Sequence, residues 1–107
     1  MDMYIQKTSN ESRPFLLVDP EIRLKNSSIV LASLEVTIIN SEGEDVTEAM
    51  LEEASVIGAN YRTIRFTIKG GEASPPDYSV SVIFSDTDSN VYEYIYTLNV
   101  IPSPLAS

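Results

Sequence analysis

Between residues 34 and 100, apolar and polar side chains alternate with a period of two. Leu34, Val36 and Ile38 alternate with Glu35, Thr37 and Ile39 before the turn residues Asn40-Ser41-Glu42-Gly43. Ile64, Phe66 and Ile68 alternate with Thr63, Arg65 and Thr67, and Gly70-Gly71 closes that run. Tyr78, Val80, Val82 and Phe84 alternate with Ser79, Ser81, Ile83 and Ser85. After Asp86 to Asn90, the set Tyr92, Tyr94, Tyr96, Leu98 and Val100 alternates with Val91, Glu93, Ile95, Thr97 and Asn99. Successive side chains of a strand point to opposite faces, so each run offers one apolar face and one mostly polar face. That is the pattern of antiparallel sheets covered on one side. Shorter strands are predicted at Phe15 to Val18, Ile29 to Leu31 and Ser55 to Ile57. About seven short strands with turns at regular intervals predict an all-β, two-sheet antiparallel sandwich. Its core is predicted from Leu34, Val36, Ile38, Ile64, Phe66, Ile68, Tyr78, Val80, Val82, Phe84, Leu98 and Val100.

One stretch breaks the alternation. Asp45 to Ala54 contains good helix formers and no Gly or Pro, and Asp45 precedes Glu48 at the spacing of an N-terminal cap. It predicts one short helix or helical turn over about residues 46–53, crossing between the sheets. The ends look different again. Residues 1–13 are mostly polar and predict an N-terminal arm, either frayed or ordered on a neighbouring subunit; 14–101 form the sandwich; 102–107 form a tail in which Pro102 and Pro104 end any strand reaching them. The opening residues have no apolar run of the kind a signal peptide or membrane anchor needs, and production in the cytoplasm is the expectation.

Composition removes function classes rather than adding them. The chain of 107 residues has no His, Cys or Trp, and its 16 Asp and Glu outweigh 7 Lys and Arg for a net charge of −9. Thiol chemistry, a Ser-His-Asp triad and a structural zinc site all lack their residues. Nucleic acid is an unfavourable partner, because phosphate binding needs clustered Lys and Arg. No apolar stretch approaches the roughly 20 residues of a spanning helix, so no membrane partner is expected.

Three constellations carry candidate chemistry. Carboxylates are abundant, but Glu52-Glu53 are adjacent on a predicted helix and point apart, while Asp86 and Asp88 sit in a loop where nothing raises a pKa. No enzyme activity and no cofactor are predicted. The loop Asp86-Thr87-Asp88-Ser89-Asn90 opens like a calcium loop, yet Val91 and Thr97 stand where that motif needs Gly and Glu. It reads as a turn whose Asp, Ser and Asn bond their own backbone, with no metal. Tyr92, Tyr94 and Tyr96 share one strand face and read as a continuation of the core, against the competing reading of an aromatic strip for a glycan. Ile39, Ile83 and Ile95 lie on faces assigned to solvent; gathered on one sheet, they would make a docking patch. With Lys7 and Arg13 of the less acidic arm, they are the candidate partner-binding residues. The segment Gly70 to Tyr78 reads as a crossover ending in a buried Tyr at the start of a strand, where sandwich folds often place one.

The order of these features carries a resemblance. Asp19-Pro20-Glu21, the strand Leu34 to Asn40, and Asp45-Val46-Thr47 running to Met50-Leu51 come first. Gly70-Gly71, Asp77-Tyr78 with Val80 and Val82, and the closing Leu98-Asn99-Val100 follow. Over about Asp19 to Val100 the chain resembles small immunoglobulin-like proteins encoded among the virion structural genes of tailed bacteriophages and prophages. It differs from them in its Pro75-Pro76 pair and in lacking Trp in the first long strand. The resemblance implies an immunoglobulin-like sandwich acting as a non-enzymatic virion structural protein, with no catalytic residues to transfer. The expected role is a head decoration or cement component docked on the major capsid protein, with the neck or tail next. Self-association is expected only within the assembly. A glycan- or cell-surface-binding module is the competitor from another class.

Overall fold

The computed structural model describes residues 3–18, 29–57, 63–71 and 76–102. Among these residues seven strands form two sheets: β1 (Met3–Thr8), β2 (Arg13–Val18), β3 (Glu35–Asn40), β4 (Leu51–Ile57), β5 (Thr63–Ile68), β6 (Asp77–Ser85) and β7 (Val91–Ile101). One helical turn, α1 (Thr47–Met50), stands between β3 and β4. The larger sheet runs β1-β7-β6-β3 and the smaller β2-β5-β4. All pairings are antiparallel except β1 with β7, which is parallel. The fold is an all-β, two-sheet sandwich, as the alternation predicts, and immunoglobulin-like, as the resemblance implies; the parallel β1–β7 pair is the exception to the antiparallel pattern.

The core lies between the two inner faces. Val36 and Ile38 of β3, Ile64, Phe66 and Ile68 of β5, and Tyr78, Val80, Val82 and Phe84 of β6 are buried, as are Leu98 and Val100 of β7. Leu34, predicted with them, is half-buried against the cluster, just before β3. Leu17, Ile29, Met50 and Tyr96 complete the buried set. Phe66 bridges the two sheets. Its ring lies 5.7 Å from Phe15 of its own sheet and 5.6 Å from Tyr96 of the opposite one.

The predicted helix is shorter than its sequence suggests. Asp45 does accept the Thr47 N–H at 2.9 Å, and the turn closes through Met50 N–H to the Val46 carbonyl at 3.0 Å. From Leu51 onward, however, the chain pairs with β5, with a bulge between Leu51 and Glu53. Four residues of good helix formers gain little by themselves, whereas the exposed ladder of β5 offers a hydrogen bond per residue. Tertiary pairing overrides propensity over residues 51–53. Likewise, the strand predicted at Ile29 to Leu31 is a single bridge from Ile29 to Asp86, followed by a 3₁₀ turn at Leu31–Ser33.

The polar segment 1–13 is no free arm. Residues 3–8 form β1 at the edge of the larger sheet, Ser9 N–H bonds the Ile101 carbonyl at 2.9 Å, and Arg13 already pairs with Ile68 at the head of β2. Between them the chain crosses from one sheet to the other. At the far end β7 stops at Ile101, before Pro102; residues 103–107 and the Asp19-Pro20-Glu21 segment lie outside the described residues. The Gly70-Gly71 punctuation has a conformational cause, since both glycines have positive φ (61° and 94°). A Cβ on Gly71 would also stand 2.8 Å from the Met50 methyl.

Truncating Phe66 tests the joint between the sheets. Phe66→Ala should destabilise the fold by about 3–5 kcal/mol in chemical denaturation, because it removes contacts on both sheets and leaves a cavity. A loss below about 1 kcal/mol would show that the sheets do not depend on this ring.

Candidate docking face

The outer face of the larger sheet is where the predicted apolar residues meet. Ile83 on β6 stands opposite Glu93, Ile95 on β7 opposite Ser81, and Ile39 on β3 opposite Ser79. Ile83 and Ile95 are therefore diagonal neighbours, close enough for their side chains to meet. Ile39 stands apart from Ile95, beyond Ser79 and Thr97. The sheet adds a residue that the sequence reading did not supply. Tyr4 on β1 sits opposite Thr97, diagonal to Ile95, and is 66% exposed; Ile95 itself is 48% exposed. Ile83, Ile95 and Tyr4 make a diagonal apolar stripe across three adjacent strands. Only recognition of β1 as a strand, with Tyr4, Gln6 and Thr8 outward and Ile5 inward, would have revealed it.

Among the described residues this face is uncharged at its centre. The rows Thr37–Ser81–Ile95 and Ile39–Ser79–Thr97–Tyr4 contain no ionisable group other than the Tyr4 phenol. At one end of the face Ile83 itself stands between Glu35 on β3 and Glu93 on β7. At the other, Asp77 accepts from Asn99 at 2.8 Å, and Asn99 in turn accepts from Gln6 at 3.4 Å. The result is a flat hydroxyl-and-isoleucine band with an acidic border.

The two basic candidates do not join it. Lys7 points inward from β1 opposite Val100, is 1% exposed, and donates through Nζ to the Thr8 carbonyl at 2.7 Å. It is a core-edge residue, not a docking residue. Burial lowers its pKa below the usual 10.5, with the Glu11 carboxylate opposing that shift. Arg13 is exposed but engaged locally. It donates to the Gln6 carbonyl at 3.2 Å, lies 3.9 Å from Glu11, and sits over the Phe15 ring at 5.8 Å. It fastens β2 to β1 rather than reaching outward. The tyrosine strip faces the core side: Tyr96 is buried, while Tyr92 and Tyr94 are half-buried and stack on Phe84 at 5.3 and 6.0 Å. It is no open platform for a sugar.

The Asp86 to Asn90 loop is a hairpin lock. Asp86 is 2% exposed, and its Oδ1 accepts the Asp88 and Asn90 backbone N–H groups at 2.9 and 3.0 Å. Its Oδ2 accepts from the Tyr92 hydroxyl at 2.9 Å and the Asn90 amide at 3.2 Å. Ser89 takes the left-handed conformation at φ 67°, as a turn of Asp, Ser and Asn permits. Burial pushes the Asp86 pKa up, but the bonds from Asn90, Tyr92 and Asp88 outweigh it and hold the carboxyl at about 2.

Both buried charges predict pH-dependent stability, with different signs. Asp86 is bound more weakly by protons in the fold than in the unfolded chain. Its contribution is complete above about pH 4 and is lost as pH falls toward 2. Asp86→Asn should therefore lower stability at pH 7 and flatten the acid limb of a stability–pH curve; an unchanged limb would mean the lock contributes nothing. For Lys7 the fold disfavours the charged form, so the cost persists at all pH below its folded pKa and fades as pH rises toward 10.5. Lys7→Met should raise the melting temperature at pH 7, with the gain shrinking at high pH. A lower melting temperature at pH 7 would show that the ammonium stabilises its site.

No protein-family model and no curated protein matches this sequence. Solved structures resemble it in fold. CopC from Methylosinus trichosporium OB3b aligns over 94% of this chain and 85% of its own, with a TM-score of 0.67 at 16% identity. Murine CRIg aligns over 91% of each chain, with a TM-score of 0.54 at 15% identity. At such identities the likeness is one of fold, and the fold they share with this chain is a two-sheet immunoglobulin-like sandwich.

Proposed function

We propose that this protein is a non-enzymatic docking module whose binding surface is the outer face of the larger sheet. The observation that supports this most is the apolar stripe Ile83–Ile95–Tyr4 on a chain of net charge −9. Exposed apolar groups contiguous on a flat sheet favour burial against another protein. The acidic border of Glu35, Glu93 and Asp77 selects a partner with basic groups around an apolar centre, and it disfavours face-to-face pairing of two copies. On the sequence resemblance, that partner is a virion structural protein of a tailed bacteriophage. The head shell is the favoured place, with this chain as a decoration or cement component, and the neck or tail is next. A total burial of roughly 1,200–2,000 Å² would hold one copy, and repetition over a symmetric shell adds avidity.

Virions propagated from the encoding phage or prophage provide the test, with copy number read by quantitative peptide mass spectrometry. The parent protein should be present in many copies, and Ile95→Asp should reduce occupancy at least about tenfold, since a buried unpaired carboxylate costs more than 1.4 kcal/mol. Ile95 is exposed on a sheet face, so this variant should fold, and a thermal melt confirms it. Removing residues 1–13 is unsuitable, because it deletes a strand of the sheet. Absence of the parent from particles would overturn the virion assignment; full occupancy by folded Ile95→Asp would overturn the docking face.

A further inference from the structure

A cavity of about 390 Å³ opens at the end of the sandwich where β3 passes into α1. That is within the range of small-ligand clefts, about 300–1,000 Å³. Its floor is apolar: Val46, Ala49, buried Met50 and buried Tyr78 line it, and Gly71 lacks the Cβ that would narrow one wall. Its mouth carries the exposed Glu42 and Glu44. No Lys or Arg is among its described lining residues. Nor does any stand in residues 26–61, the segment that supplies most of the walls.

The loop that holds these carboxylates is rigidly built. Asn40 accepts the Glu42 and Glu44 N–H groups through one side-chain oxygen, both at 2.9 Å, and its amide donates to Glu44 Oε1 at 3.2 Å. Asn40 N–H bonds the Glu44 carbonyl at 2.9 Å, and Gly43, at φ 84°, returns its N–H to the Asn40 carbonyl at 3.0 Å. One Glu44 oxygen is thus used within the loop. The other, and the Glu42 carboxylate, have no such bond among the described residues.

We infer that this cavity binds an aliphatic cation, with the alkyl stem on the Met50–Tyr78 floor and the ammonium or guanidinium between Glu42 and Glu44. Long basic groups bury their methylenes along apolar surface and keep the charge at a polar edge, which is the arrangement the cavity offers. An anion would be repelled by the two carboxylates, and a neutral chain would gain no attraction from them. The same chemistry arises from a free small amine or from a Lys or Arg side chain presented by another protein. The site is separate from the outer-face docking surface and does not depend on it.

Titrations followed by ¹H–¹⁵N NMR test it with three probes: agmatine, the tripeptide acetyl-Gly-Lys-Gly-amide, and n-pentanol as the uncharged control. Agmatine should shift Ala49, Met50, Gly71 and Tyr78 saturably at about millimolar concentration. Pentanol should bind at least about threefold more weakly, and added salt should weaken agmatine binding. The double variant Glu42→Gln with Glu44→Gln keeps a side-chain oxygen for Asn40, so its spectrum should otherwise match the parent. Its affinity for agmatine should fall roughly threefold to tenfold. Saturable binding of the tripeptide as well identifies a protein-borne side chain as the occupant; binding of agmatine alone identifies a free amine. Absence of saturable shifts with both cations, equal binding of pentanol, or unchanged affinity in the double variant would each overturn the inference.

Discussion

The contact of Phe66 with Tyr96 joins the two sheets and sets which residues face inward. The smaller sheet has only three strands, and β5 is its centre, so Phe66 is flanked by β2 and β4 and faces the longest strand of the larger sheet. Because side chains alternate along a strand, placing Phe66 and Tyr96 inward fixes the facing of every other residue on β5 and β7. Ile64 and Ile68 follow Phe66 into the core; Leu98 and Val100 follow Tyr96. The same constraint sends Ile95 and Thr97 outward. The docking face is thus the geometric complement of the core: a one-residue slip in β7 would exchange them.

The edge strand β1 matters for the same reason. A sheet edge is a row of unpaired backbone groups, and β7 would present one if its first neighbour were absent. Parallel pairing by Met3 to Thr8 covers that edge and extends the outer face by a strand, which brings Tyr4 beside Ile95. Its cost is Lys7, whose inward place opposite Val100 buries a lysine at the sheet edge, with its ammonium donating to the Thr8 carbonyl at 2.7 Å. Glu11 partly compensates through its charge and by accepting the Thr8 N–H at 2.7 Å. Strand register, rather than any preference of the lysine, decides where that charge sits.

The legible parts of the sequence were those in which one face alone was apolar. β3, β5, β6 and β7 could be read residue by residue, because Ser, Thr and Glu alternate with Val, Ile and Phe there. β1 was not legible, because its inward position 7 is Lys and its outward position 4 is Tyr, so the alternation carries the wrong sign at both. Residues 51–53 misled for a different reason. Leu-Glu-Glu favours a helix locally, and nothing local announces that β5 has an edge to be covered there. The Ile39, Ile83 and Ile95 set was half legible: the face was predictable from register, whereas the separation of Ile39 from the other two depends on strand order. The cavity could not be read at all, since it arises where the β3–α1 turn meets Gly71 and Tyr78, about 30 residues further along the chain.

Charge placement then separates two kinds of surface on one small domain. Of the acidic residues, Glu42, Glu44, Asp45, Glu48, Glu52 and Glu53 fall between positions 42 and 53, and no Lys or Arg follows Lys69. Asp45 is held ionised by its bonds to Thr47, and Glu53 meets Arg65 at 3.0 Å on the exposed side of the smaller sheet. The acidic field is therefore strongest around the β3–α1–β4 corner and weakest over the centre of the outer face. Repulsion between such corners opposes close approach of two copies, whereas burial of the apolar stripe would favour it. Under the proposed docking the separate border of Glu35, Glu93 and Asp77 would have the opposite effect on a partner with basic groups at the right spacing, attracting it while the stripe is buried. Corner and border would then divide two tasks, because among the described residues the sheet register keeps both sets of carboxylates off the centre of the face.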